Sequence, residues 1–331
     1  MMVEFVMLVM GVALFFYTVL GGADFGAGII EMLTGERSIR TISKAIAPVW
    51  EANHVWLILV LVVIFNGFPK VFSTMSIMLH IPLLLVLVGM IFRGTAFTFR
   101  HYDVIEDSSH RYYHFCFRAS SLLTPFFLGM TLGAVILGRI SPDLNAGFYA
   151  VFIAPWLNAF CIGMGLFTTL LFSYVSAVFL IGEVETEEGR QIMITYSKRS
   201  LIALMLLGAL IMALAEWSGL ALFQQFLAQP ISLATIILAT LLIPLIFRTI
   251  EKRQINTMRV LVGGQVAVIF IGWAAVQFPD FIRFNDGTAL TIYNTAAGAA
   301  TFRQLVIALT VGVLIILPAF FYLFKVFKQK V

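Results

Sequence analysis

Residues 144–182, LNAGFYAVFIAPWLNAFCIGMGLFTTLLFSYVSAVFLIG, contain no charged side chain. A soluble core has no way to bury an uninterrupted run of that length. Lipid solvates apolar side chains directly, and a helix satisfies its own backbone hydrogen bonds there. As one helix rising about 1.5 Å per residue, the run would overshoot a hydrocarbon core of about 30 Å. A start at Pro155, which suits a first helical turn, reduces it to one span. The rest of the chain has the same character: 61% of its residues are hydrophobic and 11% charged. A soluble domain has roughly 45–50% and 25%. The expected class is therefore an all-α polytopic membrane protein, a single integral-membrane helical domain over residues 1–331.

Apolar runs bounded by charges or by Pro/Gly turns predict nine spans, at 5–23, 47–68, 72–97, 118–138, 155–181, 199–222, 231–249, 259–278 and 304–326. The basic residues test this division. Those after the odd-numbered spans are Arg37, Arg40, Lys44, Arg93, Arg100, Arg111, Arg118, Arg190, Lys198, Arg199, Arg248, Lys252, Arg253, Arg259, Lys325, Lys328 and Lys330. The other side has only Lys70, Arg139, Arg283 and Arg303. By the positive-inside rule, this asymmetry puts the N-terminus outside and the C-terminus in the cytoplasm. It also accounts for the net charge of +4 without a nucleic-acid partner. Met1-Met2-Val3-Glu4-Phe5 has no basic region before its apolar run, so no cleavable signal is expected. The paired small residues Gly22/Gly26 and Gly129/Gly133 have the four-residue spacing that lets helices approach closely, or arise by chance in glycine-containing spans.

Ionisable groups inside a span are costly and ask for a reason. Asp24 closes the first span in Gly21-Gly22-Ala23-Asp24-Phe25-Gly26-Ala27-Gly28, and Glu51 opens the second in Ala47-Pro48-Val49-Trp50-Glu51-Ala52-Asn53-His54-Val55-Trp56. Arg93 and Arg100 end the third. Pro48 marks a helix start, so Glu51 falls in or near the first turn. There the helix dipole favours the ionised form and burial the neutral one, which leaves a carboxyl able to titrate. His54, three residues on, shares its face, and Asn53 pairs likewise with Trp50 and Trp56. One reading is a proton relay along that face. The other is structural: Asp24 or Glu51 neutralises Arg93 or Arg100 and fixes packing.

His54 and His80 are the two histidines placed in spans, each either a hydrogen-bonded polar group or a haem ligand. His101, His110 and His114 fall in a polar loop with Asp103, Glu106 and Asp107 and read as a solvated face. Cys116 and Cys161 lack metal-ligand spacing. The chain contains no dinucleotide fingerprint, P-loop or iron–sulfur spacing.

The Gly-Ala-Asp-Phe-Gly-Ala-Gly run and the Trp-acid-x-Asn-x-Val-Trp stretch resemble subunit II of the cytochrome bd quinol oxidases. The resemblance continues through Phe92-Arg93 and Phe99-Arg100 to Phe278-Pro279 and Leu290-Thr291-Ile292-Tyr293-Asn294-Thr295-Ala296-Ala297. It implies a nine-helix subunit of the bacterial inner membrane, paired with a haem-bearing subunit I and in some complexes a small single-helix accessory subunit. By the same resemblance, this chain binds no cofactor or metal and holds no catalytic residue. The b- and d-type haems, or b-type variants, belong to the partner, quinol is the substrate of the complex, and subunit II supplies part of a cytoplasmic proton path. Glu51, Asp24, His54 and Asn53 are its expected residues here, with Arg93 and Arg100 as charge partners. The chain departs from the family pattern at Gly21, where the first acid of Asp-Gly-Phe-Asp stands, at Glu51 in place of Asp, and at His54 in place of Gln or Glu. The competing function is an independent proton-coupled transporter, which needs midmembrane carboxylates in both halves; Glu216 is the only one in the second.

Overall fold

A computed structural model of the protein describes residues 2–35, 42, 50–102 and 110–328; the side chains of residues 51, 52, 101, 102, 320, 321, 323–325, 327 and 328 lie outside that description. The first span is a continuous helix, Met2–Thr34, built from α1 (Met2–Phe16), a π-helical turn (Tyr17–Gly21) and α2 (Gly22–Thr34). There follow α3 (Trp50–Gly67), α4 (Pro69–Met78), α5 (His80–Tyr102), α6 (His110–Leu137), the short α7 (Phe148–Phe152) and α8 (Ala159–Leu180). The second half holds α9 (Glu187–Trp217), α10 (Leu222–Ala228), α11 (Pro230–Glu251), α12 (Ile255–Gln277) and α13 (Ala299–Lys328). Among the described residues, eight helices are long and apolar enough to cross a membrane, and α3 with α4, bent by 112°, makes a ninth candidate. The protein is an all-α polytopic membrane protein.

Several span limits differ from expectation. The first span runs on to Thr34 rather than ending at 23, because its glycines serve packing inside the helix instead of breaking it. The third begins at His80, not at 72: the apolar run hides a break at Leu79, and Pro69 starts a separate helix at its first turn. The fifth begins at Ala159 rather than Pro155, where the Asn158 side chain caps the helix by accepting the Cys161 N–H at 3.0 Å. The sixth starts at Glu187, with Thr186 accepting the Gly189 N–H and two acids in the first turn. The connection at 279–303 contains a β-hairpin, Asp280–Arg283 with Ala289–Thr291. In its turn the Thr288 N–H and hydroxyl both donate to Asp286 and hold that carboxyl below its ordinary range. Strands of three or four residues are too short for a periodic signal.

The centre of the bundle is α8, which packs against α2, α6 and α9. Both small-residue pairs face it. A Cβ on Gly26 would collide with the Phe172 carbonyl oxygen and one on Gly22 would lie 2.9 Å from the Phe172 ring. On the other side, a Cβ on Gly129 would collide with the Met164 carbonyl oxygen, and one on Gly133 would lie 3.0 Å from the Cys161 Cα. Backbone-to-backbone approach of this kind replaces the hydrophobic drive that helices lack in lipid. The bundle's outer face is apolar, with side chains such as Leu206, Leu314 and Val260 largely exposed, as an integral membrane protein requires.

Candidate functional site

Two ion pairs link the first and third spans, both of which pack against α6. Arg93 donates from Nη1 to Asp24 Oδ2 at 2.8 Å and from Nη2 to Asp24 Oδ1 and the Asp24 carbonyl, both at 2.9 Å. Its Nε donates to Ser121 Oγ on α6 at 3.1 Å. Seven residues further along both helices, Arg100 Nη1 donates to Glu31 at 2.8 and 3.0 Å. Glu31 also accepts from Arg118 Nε at 3.1 Å, and His114 Nδ1 lies 3.6 Å away. Asp24, Glu31 and Arg93 are 3% exposed or less. The Phe117 ring separates the two pairs: the Arg93 guanidinium carbon is 4.9 Å from its centroid and that of Arg100 is 4.1 Å away. Two cations on one ring add attraction that would be weak in water and grows on desolvation.

The second span brings a neutral polar group to this ladder. Asn53, buried on α3, donates from Nδ2 to the Leu20 carbonyl at 3.3 Å, inside the π-helical turn. His54 lies against the same stretch, its ring 5.9 Å from Phe25 and 6.3 Å from Tyr17. The two tryptophans turn elsewhere: Trp50 packs on Phe97 and Trp56 stacks on Phe16. Glu51 is helical in α3, and its side chain lies outside the described residues.

Asp24, Asn53, His54 and Arg93 thus converge within the first three spans. Arg100 joins the second rung, whose acid is Glu31. The expectation set Asp24 or Glu51 against Arg93 or Arg100; Asp24 meets Arg93, and Arg100 meets Glu31 because the third span's arginines, seven residues apart, reach two acids seven apart on the first. His110 and His114, expected on a solvated loop, lie in the first turns of α6, where His114 faces Glu31. Glu31, Arg118, Ser121 and Tyr17 were not singled out by the sequence reading. The signal for Glu31 was available, since 24 and 31 repeat the spacing of 93 and 100. His80 is exposed and its Nδ1 lies 2.8 Å from the Ile77 carbonyl. Glu216 accepts the Phe223 N–H at 3.0 Å and thereby caps α10.

A family model described as cytochrome bd terminal oxidase subunit II matches residues 2–327. Cytochrome bd ubiquinol oxidase subunit 2 of Bacillus subtilis (strain 168) is 24% identical over 327 residues, covering 94% of this chain and 91% of that protein. Cytochrome bd-I ubiquinol oxidase subunit 2 of Escherichia coli (strain K12) is 28% identical over 134 residues, 40% of this chain and 35% of that one. A chain of the bd oxidase from Geobacillus thermodenitrificans superposes with a TM-score of 0.81 at 20% identity, covering 98% of each chain. At that identity the superposition speaks for the fold alone.

Proposed function

Because this chain belongs to the cytochrome bd terminal oxidase subunit II family, we propose that it lines a proton path of a quinol-oxidising, oxygen-reducing complex. It is one subunit of that oxidoreductase and pairs with a subunit I. Dioxygen takes up protons as well as electrons to become water, so the reducing site needs a route for protons through protein that excludes bulk water. In this reading the haems sit in subunit I, this chain carries none, and it stabilises its partner as one integral-membrane domain. The N-terminus faces outward and the C-terminus the cytoplasm of a bacterial inner membrane, as the skewed Lys/Arg distribution supports.

Glu51, His54 and Asn53 carry the path and Asp24 borders it. The observation behind this division is the bidentate Arg93–Asp24 pair. With both carboxylate oxygens and its backbone carbonyl engaged by the Arg93 guanidinium, Asp24 serves as the counter-ion of a buried cation. Arg93 and Arg100 are then counter-ions that keep the acids in place. The ladder lies wholly in the first four spans, and Glu216 is occupied as a helix cap, so an independent transporter with paired halves gains no support.

Glu51→Gln in the assembled complex tests the reading. At matched haem content, quinol-driven oxygen consumption should fall about 10²-fold, the usual cost of removing a positioned proton-transfer group, and Glu51→Asp should keep much of it. Unchanged turnover per haem in Glu51→Gln would place the route elsewhere.

A further inference from the structure

Tyr17 has no part in the ion-pair ladder, yet its hydroxyl is the buried polar group nearest to needing an explanation. It is 3% exposed, and among the described residues its Oη has no hydrogen-bond partner. Burying a hydroxyl in that state is costly, so such groups in native proteins are commonly satisfied by a partner or serve function. Asn53 Oδ1, on the facing helix, is a second orphan of the same kind. Its amide nitrogen is held by the Leu20 carbonyl, which fixes which end of the Asn side chain remains available.

The backbone around Tyr17 is built to place this ring. The residue opens the π-helical turn, a rare insertion that often marks functional positions. A Cβ on Gly21 would lie 3.0 Å from two carbons of the Tyr17 ring, so the ring rests against a bare Cα one turn on. Asp24 follows Tyr17 by seven residues, and Glu31 follows Asp24 by seven, so three polar groups repeat along one span. Tyr17 is the one deepest in it. On its far side the residue lines a cavity of about 490 Å³, together with Leu14, Thr18, Phe172 and Gln265.

We propose that Tyr17 is a proton-relay residue, its unpartnered hydroxyl continuing the path from His54, whose ring lies 6.3 Å from its own, into the bilayer interior. The inference rests on the proton-path reading above. In each transfer the Tyr17 oxygen gains an O–H bond from a donor on the His54 side as its own proton passes to a water molecule further along the path, which hands it on. The hydroxyl ends as it began, with no change of charge or oxidation state. Protons enter from the cytoplasm and are consumed in the oxygen reduction carried out by the complex.

Tyr17→Phe in the intact complex tests this, measured beside Glu51→Gln. The ring and its seat on Gly21 remain, and an orphaned hydroxyl is removed, so thermal stability should hold or rise. Turnover per haem should nonetheless fall roughly 10-fold or more, and the ratio of turnover in H2O to that in D2O should increase. If Glu51→Gln is slow and Tyr17→Phe is normal, the Tyr17 relay is overturned and the path reading stands. Normal turnover in both overturns both. A slow Tyr17→Phe beside a normal Glu51→Gln keeps the relay and removes the entry through Glu51. If Tyr17→Phe lowers stability and turnover together, with an unchanged isotope ratio, the hydroxyl is structural and the proposal fails.

Discussion

Removing one member of the Asp24–Arg93 pair should cost far more stability than removing both would suggest. Asp24→Asn keeps one acceptor oxygen but turns an NH2 group toward the guanidinium, replacing a 2.8–2.9 Å charge-assisted bond with a donor facing a donor. Arg93 is then left with the Asp24 carbonyl and Ser121 Oγ as acceptors, a buried cation without a counter-charge. Such a break costs about 3–5 kcal/mol. Arg93→Gln strands the carboxylate instead and should cost a similar amount. In Asp24→Asn with Arg93→Gln neither charge remains, and two amides can face each other. The double variant should fall short of the summed losses by about 2 kcal/mol or more, within the range of coupled neighbours. The assay is unfolding of the purified complex in detergent by denaturant or heat, with haem content recorded at each step. Turnover of the surviving Asp24→Asn complex, per haem, should drop less than in Glu51→Gln. Strictly additive losses, or single variants within about 1 kcal/mol of the parent, would refute the pair as a coupled buried unit.

Two further outcomes follow from the same geometry. Glu31→Gln leaves Arg100 and Arg118 on one neutral amide and should destabilise the complex at least as much as Asp24→Asn; a loss no larger than that of the exposed Glu251→Gln would sink the second rung. In a background without Cys116 and Cys161, single cysteines within 36–44 or near residue 328 should resist an impermeant thiol reagent in intact cells. Asn285→Cys, exposed in the hairpin turn, should react, and the reverse pattern would overturn the orientation and the direction of the path together.

The fold was legible where physics acts on long stretches. Twenty or so apolar residues between charges make a span whatever surrounds them. Both glycine pairs were legible too, because backbone approach in lipid depends on residue size at a set spacing. What failed was the reading of breaks. Gly21-Gly22 looked like the end of a helix, whereas both lie within one; Leu79 looked like its middle, whereas two helices meet there. At Gly22 the outcome was decided by the neighbouring helix, whose Phe172 ring meets it. Just beyond the break at Leu79 lies Pro82, which has no N–H to donate to the Met78 carbonyl.

The same misplaced end concealed half of the site. With the first span closed at 23, Glu31 belonged to a connection, where an acid needs no partner, and Arg100 was left to compete for Asp24 or Glu51. Extending the helix to Thr34 gives Glu31 the depth of Arg100. The first and third spans run in the same direction, so residues pair at a constant offset: 24 with 93, 31 with 100. A parallel pair of helices with matching seven-residue charge spacings is therefore a signal that sequence alone can carry. It becomes visible only after the helix is known to continue. The π-helical turn has no such signature, since Tyr-Thr-Val-Leu-Gly is ordinary helical material. What sets it apart is the neighbouring span: Asn53 on α3 donates to the Leu20 carbonyl within it, and the Tyr17 ring is seated on Gly21 at its end. Ion-pair partners follow from periodicity along two helices, whereas the relay geometry arises between them.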